Sequence, residues 1–281
     1  MLFHRLVMIA ALALVIIGMP AHAEDETGWS STAELGLVIT GGNSDTQTLS
    51  FKDETTRAWE RSSLRFRAGA IRAETTTTIQ TASGDPGVLD PPIDFTETNA
   101  EAYYFEGRYD KKITDRFFWF AGAGWDQNVP AGIDSRVTAF GGVGNIWRDD
   151  DKVKFRTDYA LSYTDQEDVF TTAASVGSYA GLRASWTYRH QFNDSTQYLN
   201  DFIVDMNLDE TDAWRGDMIN AVAVALSSRL ALKVSLQTLY NNAPPVDLIT
   251  VVPVPTVGPL AIPLELDELD TIFSTSLVIN F

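Results

Sequence analysis

Apolar and polar residues alternate along most of this chain, most clearly at its end. Counting back from the terminus in steps of two gives Phe281, Ile279, Leu277, Thr275, Phe273, Thr271 and Leu269. The other phase gives Asn280, Val278, Ser276, Ser274, Ile272 and Asp270. Successive side chains of a strand point to opposite faces, so this segment reads as a strand with one largely apolar face. The same period of two predicts about twelve strands. They cover 29–40, 45–59, 62–75, 97–110, 116–128, 134–147, 152–164, 176–191, 196–208, 213–226, 229–240 and 269–281. The phase of 134–147 is ambiguous because glycines interrupt it.

The connections alternate in length. Tight turns such as Glu60-Arg61 and Asn193-Asp194 fall after every second strand. The intervening connections include the long segments 76–96, 165–175 and 241–265, the last with six prolines that argue against a central strand there. Long loops on one side and tight turns on the other are the pattern of a transmembrane antiparallel up-and-down β-barrel. Aromatics also collect at the strand ends. Trp29, Trp59, Phe117, Trp147, Tyr188, Tyr198 and Phe281 fall at the tight-turn ends, and Trp125, Tyr163, Tyr179, Trp214 and Tyr240 at the others. Amphipathic rings prefer the lipid–water boundary, so a membrane barrel carries two such girdles, whereas a soluble sandwich would place its aromatics mid-strand.

The N-terminus changes the compartment. His4 and Arg5 precede the apolar run 6–19, and Ala21-His22-Ala23 follows. That is a charged n-region, an h-region and a small-x-small cleavage site, so 1–23 reads as a signal peptide and 24–281 as the barrel. The run is too short for a spanning helix, and no later segment reaches the ~18 apolar residues of one. Cysteine is absent, which removes disulfides and thiol chemistry. The formal net charge of −17 excludes a broad electrostatic nucleic-acid binder. Together these place the chain in the outer membrane of a Gram-negative bacterium, among outer-membrane lipid and lipopolysaccharide. The strand ending in Phe281 is similar to the C-terminal signal that the barrel assembly machinery recognises.

The stretch Leu35-Gly36-Leu37-Val38-Ile39-Thr40-Gly41-Gly42-Asn43-Ser44-Asp45-Thr46 resembles the first hairpin of the YdiY-like salt-induced outer-membrane protein family. The segment from Tyr109 to Gly124, with Lys111, Asp115, Arg116, Phe118, Phe120 and Gly122, resembles that family's middle region. The resemblance implies an outer-membrane location and a stress-related setting. It implies no biochemical activity, since none is established for the family.

Candidate chemistry is sparse. Once the leader is gone His190 is the sole histidine, and it falls at a tight-turn end, away from where an outer-leaflet lipase needs its base. Asp165, Glu167 and Asp168 cluster, as do Asp209, Glu210 and Asp212; such loops are usually solvated, with weak Ca²⁺ or Mg²⁺ binding as the alternative. No catalytic, cofactor or metal residues are assigned. The candidate site is the lumen wall. Where the phase is clear, the polar face carries Lys52, Arg65, Arg67, Glu106, Arg108, Lys154, Arg156, Asp158, Arg183, Arg189, Asp201, Asp205 and Lys233, with Glu34 and Glu54. Its cations outnumber its carboxylates, so a narrow pore of this size should prefer anions mildly. The expected function is a small passive channel, with a small ionic solute as partner, or a stress-related membrane component. The alternative is a non-conducting structural or adhesive barrel whose Pro-rich loop faces outward; an enzyme is the least favoured.

Overall fold

The computed structural model describes residues 27–40, 44–79, 93–170, 177–244, 246–251, 260–265 and 268–281. The segment 1–23, expected to be a signal peptide, and the centre of the loop 76–96 lie outside them. In chain order the strands are β1 (Gly28–Thr40), β2 (Ser44–Trp59), β3 (Ser62–Ile79), β4 (Ile93–Lys112), β5 (Phe117–Asn128), β6 (Ile133–Asp149) and β7 (Val153–Asp168). They continue as β8 (Ser178–Gln191), β9 (Thr196–Asn207), β10 (Trp214–Ala225), β11 (Leu230–Asn241), β12 (Val246–Val251), β13 (Leu260–Glu265) and β14 (Leu269–Asn280). Twelve of them form one closed antiparallel barrel, in which β14 pairs with β11 on one side and β1 on the other. Closure pairs every strand of this twelve-stranded sheet on both sides, as an apolar solvent favours.

Three expectations about the loops change. The segment 241–265 is not structureless: β12 and β13 pair as a hairpin of their own, with Pro263 opposite Leu248. In a two-stranded ribbon both strands are edge strands, where proline is tolerated. β3 and β4 pair as far as Ile79↔Ile93, well past the expected ends. β7 runs through Asp168, so the acidic residues 165–168 are strand rather than loop.

The turns at the end where β1 begins and β14 finishes are closed by side chains that accept from the backbone. Asn193 Oδ1 takes the N–H of Thr196 at 2.9 Å, and Asp150 Oδ1 takes that of Val153 at 2.7 Å. Asx geometry supplies the turn where no glycine is present. Asp150 is also hydrogen-bonded by Arg148, and these bonds hold its carboxyl below the ordinary carboxylate range. At the other end a single 3₁₀ turn, Val129–Ala131, joins β5 to β6. It closes on Gly132 at φ +77°, a left-handed conformation that favours glycine.

Burial is inverted relative to a soluble protein. Leu161 is 66 % exposed and Phe273 72 %, and Leu35, Leu37, Phe105, Trp119, Val143 and Leu277 lie open on the same outer surface. Arg108, Asp158, Asp205, Asn207, Ser235 and Ser276 are buried. An apolar exterior around a polar interior suits lipid, and such an outer face would be unstable in water at roughly 1.5–3 kcal/mol per large side chain. Trp29, Trp59 and Trp147 are exposed at the turn end, with Arg57 packed against the Trp29 and Trp59 rings. Tyr179 departs from the expected girdle: it pairs across from Thr164, is 9 % exposed, and accepts a hydrogen bond from Arg215, so it faces inward.

The seam is the weak join of the wall. Pairing of β1 with β14 runs only from Thr32↔Asn280 to Leu35↔Leu277, and the backbones of Ser31 and Phe281 also bond to each other. β1 continues to Thr40 along β2, and β14 starts at Leu269 along β11. Amides that face the seam beyond Leu35 and before Leu277 should therefore exchange with solvent faster than those of β6 and β7. Equal protection would mean that the seam closes fully in solution.

Candidate functional site: the charged lumen

Cross-strand partners share a face, so the register tells which residues line the interior. Lys52 and Glu34 stand opposite each other, as do Glu54 and Arg67, Arg65 and Arg108, and Arg67 and Glu106. Lys154 faces Arg189, Arg183 faces Asp205, and Asp158, Arg156, Asp201 and Lys233 follow the same phase. These residues thus share one continuous face, the one that turns into the barrel. They differ in depth. Lys154 is 67 % exposed at the turn-end mouth, where a cavity of about 230 Å³ is lined by Asp151, Lys152, Lys154, Arg189, Gln191 and Gln197.

The charges are tied into pairs across strands. Arg67 Nη2 meets Glu106 at 2.7 Å. Lys233 Nζ reaches over β14 to Glu34 at 2.6 Å. Arg183 and Arg189 make two-pronged bonds to Asp205 (2.6 and 3.0 Å) and Asp201 (2.9 and 2.9 Å). The densest group is a closed quartet. Arg108 bonds Asp110 and Asp158, each at 2.7 Å, and Arg156 bonds Asp158 at 3.1 Å and reaches Asp110 at 3.6 Å. Charge-assisted bonds of this kind are short and directional, and in a low-dielectric interior they fix both partners.

Arg108 lies on β4 and Asp158 on β7, so the bond crosses β5 and β6. It can do so because the inner faces of those strands are floored by Gly122, Gly142 and Gly144. Phe118, Phe120 and Phe140 fill the space above them and form the buried apolar cluster of the barrel. Arg108 sits 3.8 Å over the Phe120 ring, Arg183 4.8 Å over Phe140 and Arg156 5.1 Å over Phe118. Each cation thus has an aromatic face on one side and a carboxylate on the other. This settles the phase of β6: Arg136, Thr138, Phe140, Gly142 and Gly144 face inward.

The expected surplus of positive charge shrinks to near balance. Among the described residues the inner face also carries Asp110, Asp126, Asp149, Asp217 and Asp270, with Lys112, Arg136 and Arg215 as further cations. Asp110 was hidden at a strand end beside its turn, and the phase of β10 gave no signal because Arg215, Asp217 and the alanines after them do not alternate with a strongly apolar set. One candidate cluster comes apart, while Asp209, Glu210 and Asp212 stay in the exposed turn between β9 and β10. Asp165 and Glu167 pair across from Val137 and Ser135, whereas Asp168 pairs with Ile133 beyond an irregularity. Asp165 accepts from Ser178 and Asp168 from Gln166. His190 lies on the outer face near Tyr188 and Phe192, its Nδ1 3.1 Å from the Tyr188 hydroxyl.

In structure, an outer membrane channel from Pseudomonas putida F1 is similar at 11 % identity and TM-score 0.44, over 94 % of this chain and 99 % of its own. The translocator domain of the autotransporter NalP from Neisseria meningitidis aligns at 8 % identity and TM-score 0.43, over 99 % and 95 %. The NanC porin aligns at 8 % and 0.42, over 90 % and 98 %. The likeness is one of barrel fold. No curated protein matches the chain. The sequence match of residues 33–251 is to a family described as "Protein of unknown function, DUF481", and it covers most of the chain, which therefore belongs to that family.

Proposed function

We propose that this protein is an outer-membrane barrel of a Gram-negative bacterium, acting as a narrow passive channel for small ionic solutes. The observation that carries the reading is a charged inner wall that water still reaches. The side chains of Arg67, Asp126 and Asp201 are 31 %, 30 % and 36 % exposed although they face inward. A wall meant only to fill space would be apolar, because burying and pairing charges gains little over well-packed hydrophobic residues. With Asp110, Asp126 and Asp217 balancing the cations, the pore should discriminate weakly between anions and cations, in place of the anion preference expected from the sequence. Refolded protein in planar bilayers should show small single-channel steps and a reversal potential near zero in a salt gradient. The non-conducting alternative has its own support in the Phe118–Phe120–Phe140 cluster, which closes one sector of the lumen. Absence of steps from correctly folded protein would favour it. No step of the proposed function uses an enzyme's acid, base or nucleophile.

In this reading the termini and tight turns are periplasmic and the long connections face outward among lipopolysaccharide. A tag inserted at Glu210, between β9 and β10, should be reachable on intact cells, and one at Asp150 should not; the opposite labelling would invert the orientation. Phe281 is where the assembly machinery would engage. Phe281→Asp should lower the amount of inserted barrel several-fold, although a charge at the interface costs only about 0–1 kcal/mol. Normal insertion of that variant would remove Phe281 from the recognition signal. The resemblance to salt-induced proteins adds a stress-related role, which transcript levels before and after a salt upshift would test.

A further inference from the structure

Among the described residues, five enclosed polar side-chain atoms have no hydrogen-bond partner: Nε of Arg65, Arg67 and Arg156, Nη2 of Arg108, and Oδ1 of Asp158. Four of the five are guanidinium donors, and all belong to one sector of the inner wall. Buried donors are almost always satisfied in native proteins, so a cluster of bare ones asks for a reason. The pairing explains which cation of this sector is left over. Asp110 and Asp158 are shared between Arg108 and Arg156, and Glu106 is held by Arg67. Arg65 has no carboxylate within ion-pair distance among the described residues, and it stands directly across the register from Arg108. Like charges placed directly opposite each other repel. Its other charged neighbours are Arg67, Arg156 and Glu54, and Glu54 makes no ion pair of its own among the described residues.

We infer that Arg65, together with the free N–H groups of Arg67, Arg108 and Arg156, forms a lumenal binding site for a small oxyanion of the phosphate or sulfate type. An oxyanion between Arg65 and Arg108 turns their repulsion into two attractions. Guanidinium forks match the edges of a tetrahedral oxyanion, which a spherical chloride cannot reproduce. Arg108 is 6 % exposed and pinned by two carboxylates and the Phe120 ring, so its free Nη2 is preorganised. Arg67 and Arg156 keep 31 % and 26 % exposure, which leaves a route from the lumen water. Glu54 is the built-in competitor. The inference rests on the lumen being open to small solutes, as proposed above, but not on conduction through it.

The test is calorimetric titration of the refolded full-length barrel in detergent with inorganic phosphate at low salt. Saturable binding is expected, displaced by sulfate and far less by chloride at equal concentration. Arg65→Gln should weaken it about ten-fold or more, as loss of charged hydrogen bonds implies. Glu54→Gln should tighten it, and Arg229→Gln, in an exposed turn, should leave it unchanged. Heat-modifiable gel mobility checks that each variant is folded; if Arg65→Gln does not fold, the direction of the Glu54→Gln change carries the decision. Unsaturable phosphate binding, unchanged affinity in folded Arg65→Gln, or no tightening in Glu54→Gln would overturn the site. Conduction without phosphate binding would remove the site and keep the channel. Phosphate binding without conduction would do the reverse.

Discussion

Asp158→Ala should be among the most damaging single substitutions in the inner wall, lowering the stability of the refolded barrel by about 3–5 kcal/mol. Asp158 is 5 % exposed, and its Oδ2 accepts from Arg108 at 2.7 Å and from Arg156 at 3.1 Å. Removing it strands two guanidinium groups, one of them buried, with Asp110 alone to serve both. The cost comes from the uncompensated charge more than from the lost bonds. Removing Arg156 as well should therefore recover part of the loss, a coupling that a double-mutant cycle measures. Lys154→Ala is the contrast: its 3.4 Å pair with Asp149 is more than half exposed on both sides and should be worth about 0–1 kcal/mol. Urea unfolding in lipid vesicles, followed by tryptophan fluorescence, ranks the two. Equal midpoints would mean that water screens the quartet as well as it screens the mouth.

The wall of this barrel was legible because its pattern is local. Period two sets strand from turn, and one apolar face per strand sets outside from inside, so the charges from Lys52 to Lys233 could be placed on one face from their spacing alone. The interior was less legible for a physical reason. In Phe117-Phe118-Trp119-Phe120 both phases are aromatic, and nothing local says that Phe118 and Phe120 turn into a polar lumen. What admits them is the absence of side chains on the next strand, where Gly144 lies opposite Phe118 and Gly142 opposite Phe120. That is a relation between strands, and it needs the register. Pairing was hidden in the same way. Arg108 and Asp158 are 50 residues apart and separated by two strands, so charges could be counted in sequence but not matched. The unmatched Arg65, on which the proposed oxyanion site depends, appears only when every other partner is assigned.

Gly142→Ala should impair folding of the barrel, while Gly141→Ala, one residue earlier, should be slightly stabilising. Replacing glycine by alanine within a strand ordinarily helps by about 0.4–1 kcal/mol, since it restricts the unfolded chain. At Gly141 that expectation stands: a methyl group would lie 3.6 Å from the Phe120 carbonyl oxygen and 4.0 Å from Ala121 Cβ, ordinary contacts. At Gly142 the methyl would collide with the carbonyl oxygen of Tyr159 and stand 2.6 Å from Ala160 Cα. Both are backbone atoms of the neighbouring strand, so no rotamer change can relieve the overlap. β6 and β7 would have to separate where Gly142 pairs with Ala160, beside the glycine floor under Phe120 and the Arg108–Asp158 bond. Overpacking of this kind costs typically about 1–3 kcal/mol, and more where the obstacle is rigid. The sign of the change should thus reverse between adjacent glycines. Refolding yield and urea midpoint of the two variants decide it. A Gly142→Ala barrel as stable as Gly141→Ala would show that the close approach of β6 and β7 is not what requires glycine there.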